Sequence, residues 1–159
     1  GCRLMAISKI NYNSRELVTT PAFLVTATAA TNFSKDGNNT VAFGTEVFDQ
    51  NGDFASNTFT APVTGKYLLS ASVQISNTQS DATYYIASIV TSNRTLRLAI
   101  EDPTILSAPD DVAFWTFSAA HLMDMDASDT ATITYRQEGG TNTVSDLDTD
   151  TSFSGFLVA

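Results

Sequence analysis

His121 and Cys2 are the single histidine and the single cysteine of the chain. A nucleophile–base pair for acyl transfer would have to use one of them, because such a pair needs an imidazole or a thiolate within hydrogen-bond reach. His121 stands in a stretch where apolar residues alternate, with no metal-ligand spacing and no nucleophile beside it. That is the setting of a structural histidine. One cysteine makes neither an intrachain disulfide nor a cysteine-rich zinc cluster. The sequence holds no Gly-x-Ser-x-Gly, His-Glu-x-x-His, P-loop or Gly-x-Gly-x-x-Gly motif. It therefore reads as a non-enzymatic chain. Glycan cleavage is the enzymatic alternative, since a suitably spaced carboxylate pair hydrolyses glycosides and the chain has 17 acidic residues.

The acids are clustered. Asp146, Asp148 and Asp150 alternate with Leu147 and Thr149, so an extended backbone would point all three carboxylates one way. Such an array repels itself unless it is solvated or bound to a cation. Ca²⁺ takes six to eight oxygen ligands, of which this loop could supply three. The later Gly and Glu of an EF-hand loop are missing. The expectation is a solvated acidic loop, with calcium at Asp146, Asp148 and Asp150 as the alternative. Asp124, Asp126 and Asp129, and the pair Asp110-Asp111, raise the same question more weakly.

Trp115, Tyr84, Tyr85 and Tyr135 have the apolar faces and polar edges of a sugar-stacking platform. At strand spacing such residues more often fill a core or a subunit interface. Asn-x-Ser/Thr sequons at Asn32, Asn38 and Asn93 matter only where the source glycosylates.

These residues must be positioned by strands. Thr and Ser number 23 and 16, and together with the β-branched and aromatic residues they suit pleated, half-buried surfaces. In residues 67–76, Tyr67, Leu69, Ala71, Val73 and Ile75 alternate with a face that is mostly hydroxyl. The same period of two marks 22–28, 41–48, 84–91, 95–100, 112–118, 130–135 and 152–158. Turn clusters rich in Asn, Asp and Gly separate them, and no amphipathic helix of three turns is visible. Many short strands without helices predict an all-β sandwich or barrel. Residues 1–20 are less regular and carry Arg3, Lys9 and Arg15, so they read as a lead-in from an upstream stalk or domain.

With 159 residues, 43% of them hydrophobic and only 16% charged, the chain suits one folded domain and is too apolar for disorder. No apolar run reaches the ~20 residues of a membrane-spanning helix. A net charge of −9 repels nucleic acid and anionic lipid at long range.

FTAPVTGKYLLSASV at 59–73 resembles the signature of the complement C1q globular-head family, a jelly-roll relative of tumour necrosis factor. The likeness extends through PAFLVTAT at 21–28, VAFGTEVFDQNGDF at 41–54, YYIASIV at 84–90, HLMDMDASDTATI at 121–133 and FSGFLVA at 153–159. It covers nearly all of 21–159, which is read as the domain. Ser128-Asp129 departs from the family's usual Gly-Asp at that turn. Gly65 is expected to permit a tight turn before Lys66.

The TEVFD and KYLLSASV segments resemble the versions at the ends of phage tail fibres, tailspikes and virion appendages, and no Gly-X-Y repeat precedes them here. The resemblance implies a jelly-roll of about ten short strands and a tight homotrimer on a virion surface or outside the cell. Its outer loops, at 35–39, 50–53 and 76–81, would meet a host-surface glycan or protein receptor, with Lys35, Asp36, Asn38, Asn51, Asp53 and Gln79 as the candidate contacts. A complement-like recognition protein is the alternative. Apolar residues on both faces of several strands agree with a trimer: Tyr84 and Ile86 beside Tyr85 and Ile89, Phe114 beside Trp115 and Phe117, and Phe153 beside Phe156.

Overall fold

The computed structural model describes residues 20–106, 112–141 and 145–159. The lead-in up to position 19, with Cys2, Arg3, Lys9 and Arg15, lies outside the described residues, as do Asp110 and Asp111.

Alternation of apolar and polar side chains is what places the eight longer strands. They are β1 (Ala22–Ala27), β4 (Phe43–Asp49), β7 (Gly65–Thr78), β8 (Ala82–Thr91), β9 (Thr95–Glu101), β10 (Val112–Met125), β11 (Thr130–Gly139) and β13 (Ser152–Leu157). Five strands of two to four residues fill the gaps: β2 (Ala30–Phe33), β3 (Asn39–Thr40), β5 (Phe54–Ala55), β6 (Thr58–Thr60) and β12 (Ser145–Leu147). A single turn of 3₁₀-helix occupies Pro103–Leu106.

The strands form two antiparallel sheets packed face to face. In the first, β7 is central. β10 runs along one side of it, and β13 and β12 lie end to end along the other. β1 then pairs with β13, β2 with β12, and β4 lies outside β1. In the second sheet β8 is flanked by β11 and β9, while β6 and β3 pair with the far edge of β11 and β5 with β6.

The core lies between the sheets. Tyr67, Leu69, Val73 and Ile75 of β7 are fully buried, as their alternation predicts. Phe23 of β1 stacks on Phe59 at 4.7 Å and meets Phe153 edge-on at 4.9 Å, which anchors one end. Tyr85, Tyr135 and Phe117 fill the other. A polar chain crosses this second end: Tyr135 Oη donates to Ser145 Oγ at 2.9 Å, and Ser145 Oγ donates to Gln137 Oε1 at 2.7 Å. All three residues are buried, so each group has its partner where unpaired groups would be costly.

Two local expectations resolve differently. Gly65 does not make a turn: it begins β7, and a Cβ there would lie 2.6 Å from Leu157 Cδ1 and 2.7 Å from the Ala159 carbonyl. Glycine is needed for that close approach, across which Lys66 N–H donates to Ala159 O. At the Ser128-Asp129 turn the backbone takes the left-handed form with Ser128 at φ 76°, and Ser128 N–H donates to Ala61 O at 2.7 Å. The turn is therefore kept without glycine, at a conformational cost.

Candidate functional site

From Leu68 to Ser76, side chains of even number on β7 point away from the core, and the register aligns them with like residues on neighbouring strands. Leu122 of β10 faces Leu68 of β7, which faces Phe156 of β13, which faces Ala22 of β1. One row along, Ala120, Ser70, Ser154, Leu24 and Phe48 align in the same way. Phe48, Phe156 and Leu68 line a notch of about 420 Å³ between these rows. Leu122 is 57% exposed and Phe114, at the far end of β10, 59%. Across β1, β13, β7 beyond Lys66 and β10 before Asp124 there is no Asp, Glu, Lys or Arg. In a chain of net charge −9, the uncharged, hydroxyl-and-apolar face of these four strands, bordered by Glu46 of β4 and Asp146 of β12, is ill suited to remain in water.

The doubled apolar faces are present. Phe114 and Phe156 are exposed, whereas Phe117 and Phe153 are buried. Tyr84 and Ile86 lie on the outer face of the second sheet, opposite the buried Tyr85 and Ile89. Of the four residues considered as a stacking platform, Tyr85 and Tyr135 have no exposed surface. Trp115 is half-buried against Tyr85 and Phe117, with ring centroids 6.0 Å from each.

The candidate loop residues divide between the two ends of the sandwich. At the end reached by the C-terminus of β7, Lys35 Nζ donates to Gly140 O at 2.6 Å and Asp36 accepts from Gly139 N–H at 2.7 Å. Gln79 N–H donates to Tyr85 Oη at the same end, and Asn38 borders the outer face of the second sheet. Asn51 and Asp53 follow β4 and lie at the opposite end, where Asp53 N–H donates to Asp49 Oδ1 at 3.1 Å and Asp53 O accepts from Thr60 N–H. Burial raises the Asp53 carboxyl above the ordinary carboxylate value, opposed by a hydrogen bond from the Asn51 side chain. Its Oδ2 is enclosed without a hydrogen-bond partner. The three loops thus do not form one surface, because the jelly-roll path returns β4 antiparallel to β1 and carries 50–53 away from 35–39.

The extended backbone that would align Asp146, Asp148 and Asp150 ends at Leu147. Asp146 accepts from Asn77 Nδ2 at 2.6 Å. Asp148 Oδ1 instead accepts the Asp150 backbone N–H at 3.2 Å, the local side-chain-to-backbone bond that turns the chain. Among the described residues, no group of three or more His, Cys, Asp or Glu stands where it could hold a metal ion. Asp124 pairs with Arg94, and Asp129 accepts from Asn93 Nδ2 and from Asp126 N–H. His121 Nε2 lies 2.9 Å from Arg97 O, a structural bond across the open edge between β10 and β9.

Sequence reasoning missed Leu122 and the length of β10. The small residues Ser118, Ala119 and Ala120 weaken the alternation there, and it resumes at Leu122 and Met123. Carrying the period of two through them would have found the row.

A two-sheet antiparallel sandwich with this strand order is a jelly-roll of the C1q and tumour necrosis factor type. The chain belongs to the C1q domain family, which it matches over residues 22–158. It is similar to the globular domain of zebrafish complement 1qA protein at 17% identity, with a TM-score of 0.59, covering 87% of this chain and 98% of that one. Murine APRIL is similar at 13% identity, with a TM-score of 0.58, covering 87% of this chain and 99% of that one. No curated protein matches the sequence. Domains of this family trimerise, bind ligands or receptors, are typically non-enzymatic and are usually extracellular. Among the described residues no helix is long and apolar enough to cross a membrane.

Proposed function

We propose that this chain is a non-enzymatic homotrimerisation and binding domain at the distal end of a phage fibre, spike or other virion appendage, where it contacts a host-surface glycan or protein receptor. The carrying observation is the uncharged outer face shared by β1, β13, β7 beyond Lys66 and β10 before Asp124, with Leu122, Leu68, Phe156 and Ala22 in one row. A closed three-fold assembly covers such a face on every copy at once, in an obligate interface of roughly 2,000 Å² or more. Three copies also triple the charge of −9, and no carboxylate stands on β1, β13, β7 or β10 before Asp124, so the repulsion stays off that shared face. The setting on a virion rests on the resemblance of the TEVFD and KYLLSASV segments to appendage versions of the family.

Loops at both ends remain free for a partner, and binding through three copies gains by avidity. The test is attachment to cells or isolated envelopes of the source's host. Replacing 35–39 and 76–81 should abolish attachment without changing the mass of the assembly, with 50–53 replaced separately as the opposite-end control. Attachment that survives all three replacements would contradict the loop-mediated receptor role.

A further inference from the structure

The outer face of the second sheet holds an open groove of about 410 Å³. β8 is its floor, with Ile86, Ser88 and Val90 turned outward while Tyr85, Ala87 and Ile89 enter the core. The register places Thr134 of β11 on one side of Ser88 and Arg97 of β9 on the other. Arg136 stands one row away, beside Ile86.

The pairing of β8 with β9 slips at this point. Ala87 faces Ala99 but Ser88 faces Arg97, which leaves Leu98 as the extra residue. Side chains alternate along a strand, so a one-residue bulge changes which face the following residues take. Here Leu98 is buried in the core, Arg97 borders the groove, and the outward-facing Ile86 still meets the exposed Ile100. The His121 bond to Arg97 O fixes the same stretch of backbone from the other sheet.

Two groups in the groove have no partner among the described residues. Ser88 is 5% exposed, and its hydroxyl has no hydrogen-bond partner among the described residues. The Arg97 guanidinium has no ion pair among them, whereas Arg136 is paired with Glu138. The pair cancels, so among the described residues the groove presents one guanidinium without an ion-pair partner.

We infer that this groove binds one carboxylate-bearing sugar unit. The Arg97 fork takes the carboxylate, because a guanidinium matches its two oxygens. Ile86 and Val90 accept the apolar face of the ring, while Ser88 and Thr134 meet its hydroxyls. The volume lies in the range of small-ligand sites, ~300–1,000 Å³. A single local charge within a chain of −9 favours one acid group over a polyanion. This deepens the recognition reading above; neither the assembly nor the loop surface depends on it.

The test measures binding to the full chain by saturation-transfer NMR and calorimetry. The probes are methyl glucuronide, methyl glucoside, N-acetylneuraminic acid, heparin and an acetylated glutamyl peptide. At least one of the two acidic sugars should bind at least about tenfold more tightly than the glucoside, the factor that ~1.4 kcal/mol supplies. Arg97→Gln, on an exposed side chain, should erase that preference while the melting temperature and mass stay unchanged, and Arg97→Lys should keep part of it. Equal binding of acidic and neutral sugars, a preference that survives Arg97→Gln, or tighter binding of heparin or the peptide would overturn the inference. Loop replacements that abolish host attachment while the sugar preference persists would separate the two sites.

Discussion

The Nε2 atom of His121 on β10 lies 2.9 Å from the carbonyl oxygen of Arg97 on β9, so one ring joins the edge of the first sheet to the edge of the second. A carbonyl only accepts, so Nε2 carries the hydrogen in this bond. Removing the ring with His121→Ala should cost about 0.5–1.5 kcal/mol, with His121→Gln recovering part. Denaturant unfolding of the two variants measures this, and equal stability of wild type and His121→Ala would show the clasp to be idle.

Ser145 is the hinge of the buried polar chain, accepting from Tyr135 and donating to Gln137. Ser145→Ala removes both bonds and leaves the buried Tyr135 hydroxyl without its acceptor, so it should destabilise by about 1–3 kcal/mol. Tyr135→Phe removes only one donor and should cost less.

The same burial gives a pH dependence. Desolvation first, opposed by the Ser145 bond, pushes the Tyr135 phenol far above its ordinary value of 10, and burial likewise raises Tyr67. Above pH 10 the unfolded chain releases these protons while the folded chain keeps them, so stability is full below that value and falls as pH rises beyond it. Melting temperature should drop above pH 10, and less steeply in Tyr135→Phe. A flat alkaline profile would contradict the burial of these rings.

Ser128 holds a left-handed backbone with φ 76°. Ser128→Gly should relieve the side-chain strain, ~1–2 kcal/mol, against a greater unfolded-state entropy. The expected net result is a stabilisation of about 0.5–1 kcal/mol, read by thermal or denaturant melting. A destabilised glycine variant would place the strain elsewhere.

Asp146 and Asp148 already have partners in Asn77 and the Asp150 backbone. The melting temperature should therefore be indifferent to chelator and to added Ca²⁺. A bound ion at a hundredfold excess over its dissociation constant would instead add ~2.7 kcal/mol.

Much of this fold is legible in the sequence because the period of two is strong where one face is buried: Tyr67, Leu69, Val73 and Ile75 announce both β7 and its core face. The short strands escape notice because two to four residues carry no period, and Asn39 or Phe54 reads as part of a neighbouring turn. Asp146, Asp148 and Asp150 do not share one extended strand, because alternation fixes direction only while the backbone stays extended, and the Asp148 carboxylate accepts from the turn that follows Leu147. The groove is invisible in the sequence. Ser88, Arg97 and Thr134 meet only through strand register, and a bulge at Leu98 decides which face Arg97 takes.

On the proposed function, copies of this chain cover the uncharged face shared by β1, β13, β7 and β10. Light scattering at micromolar concentration tests it most directly, on the wild type and on Leu122→Asp, a substitution at an exposed position on that face. The wild type should have three times the mass of one chain, and Leu122→Asp should fall to the mass of a single folded chain. A monomeric wild type, or a trimer indifferent to a carboxylate at position 122, would contradict it.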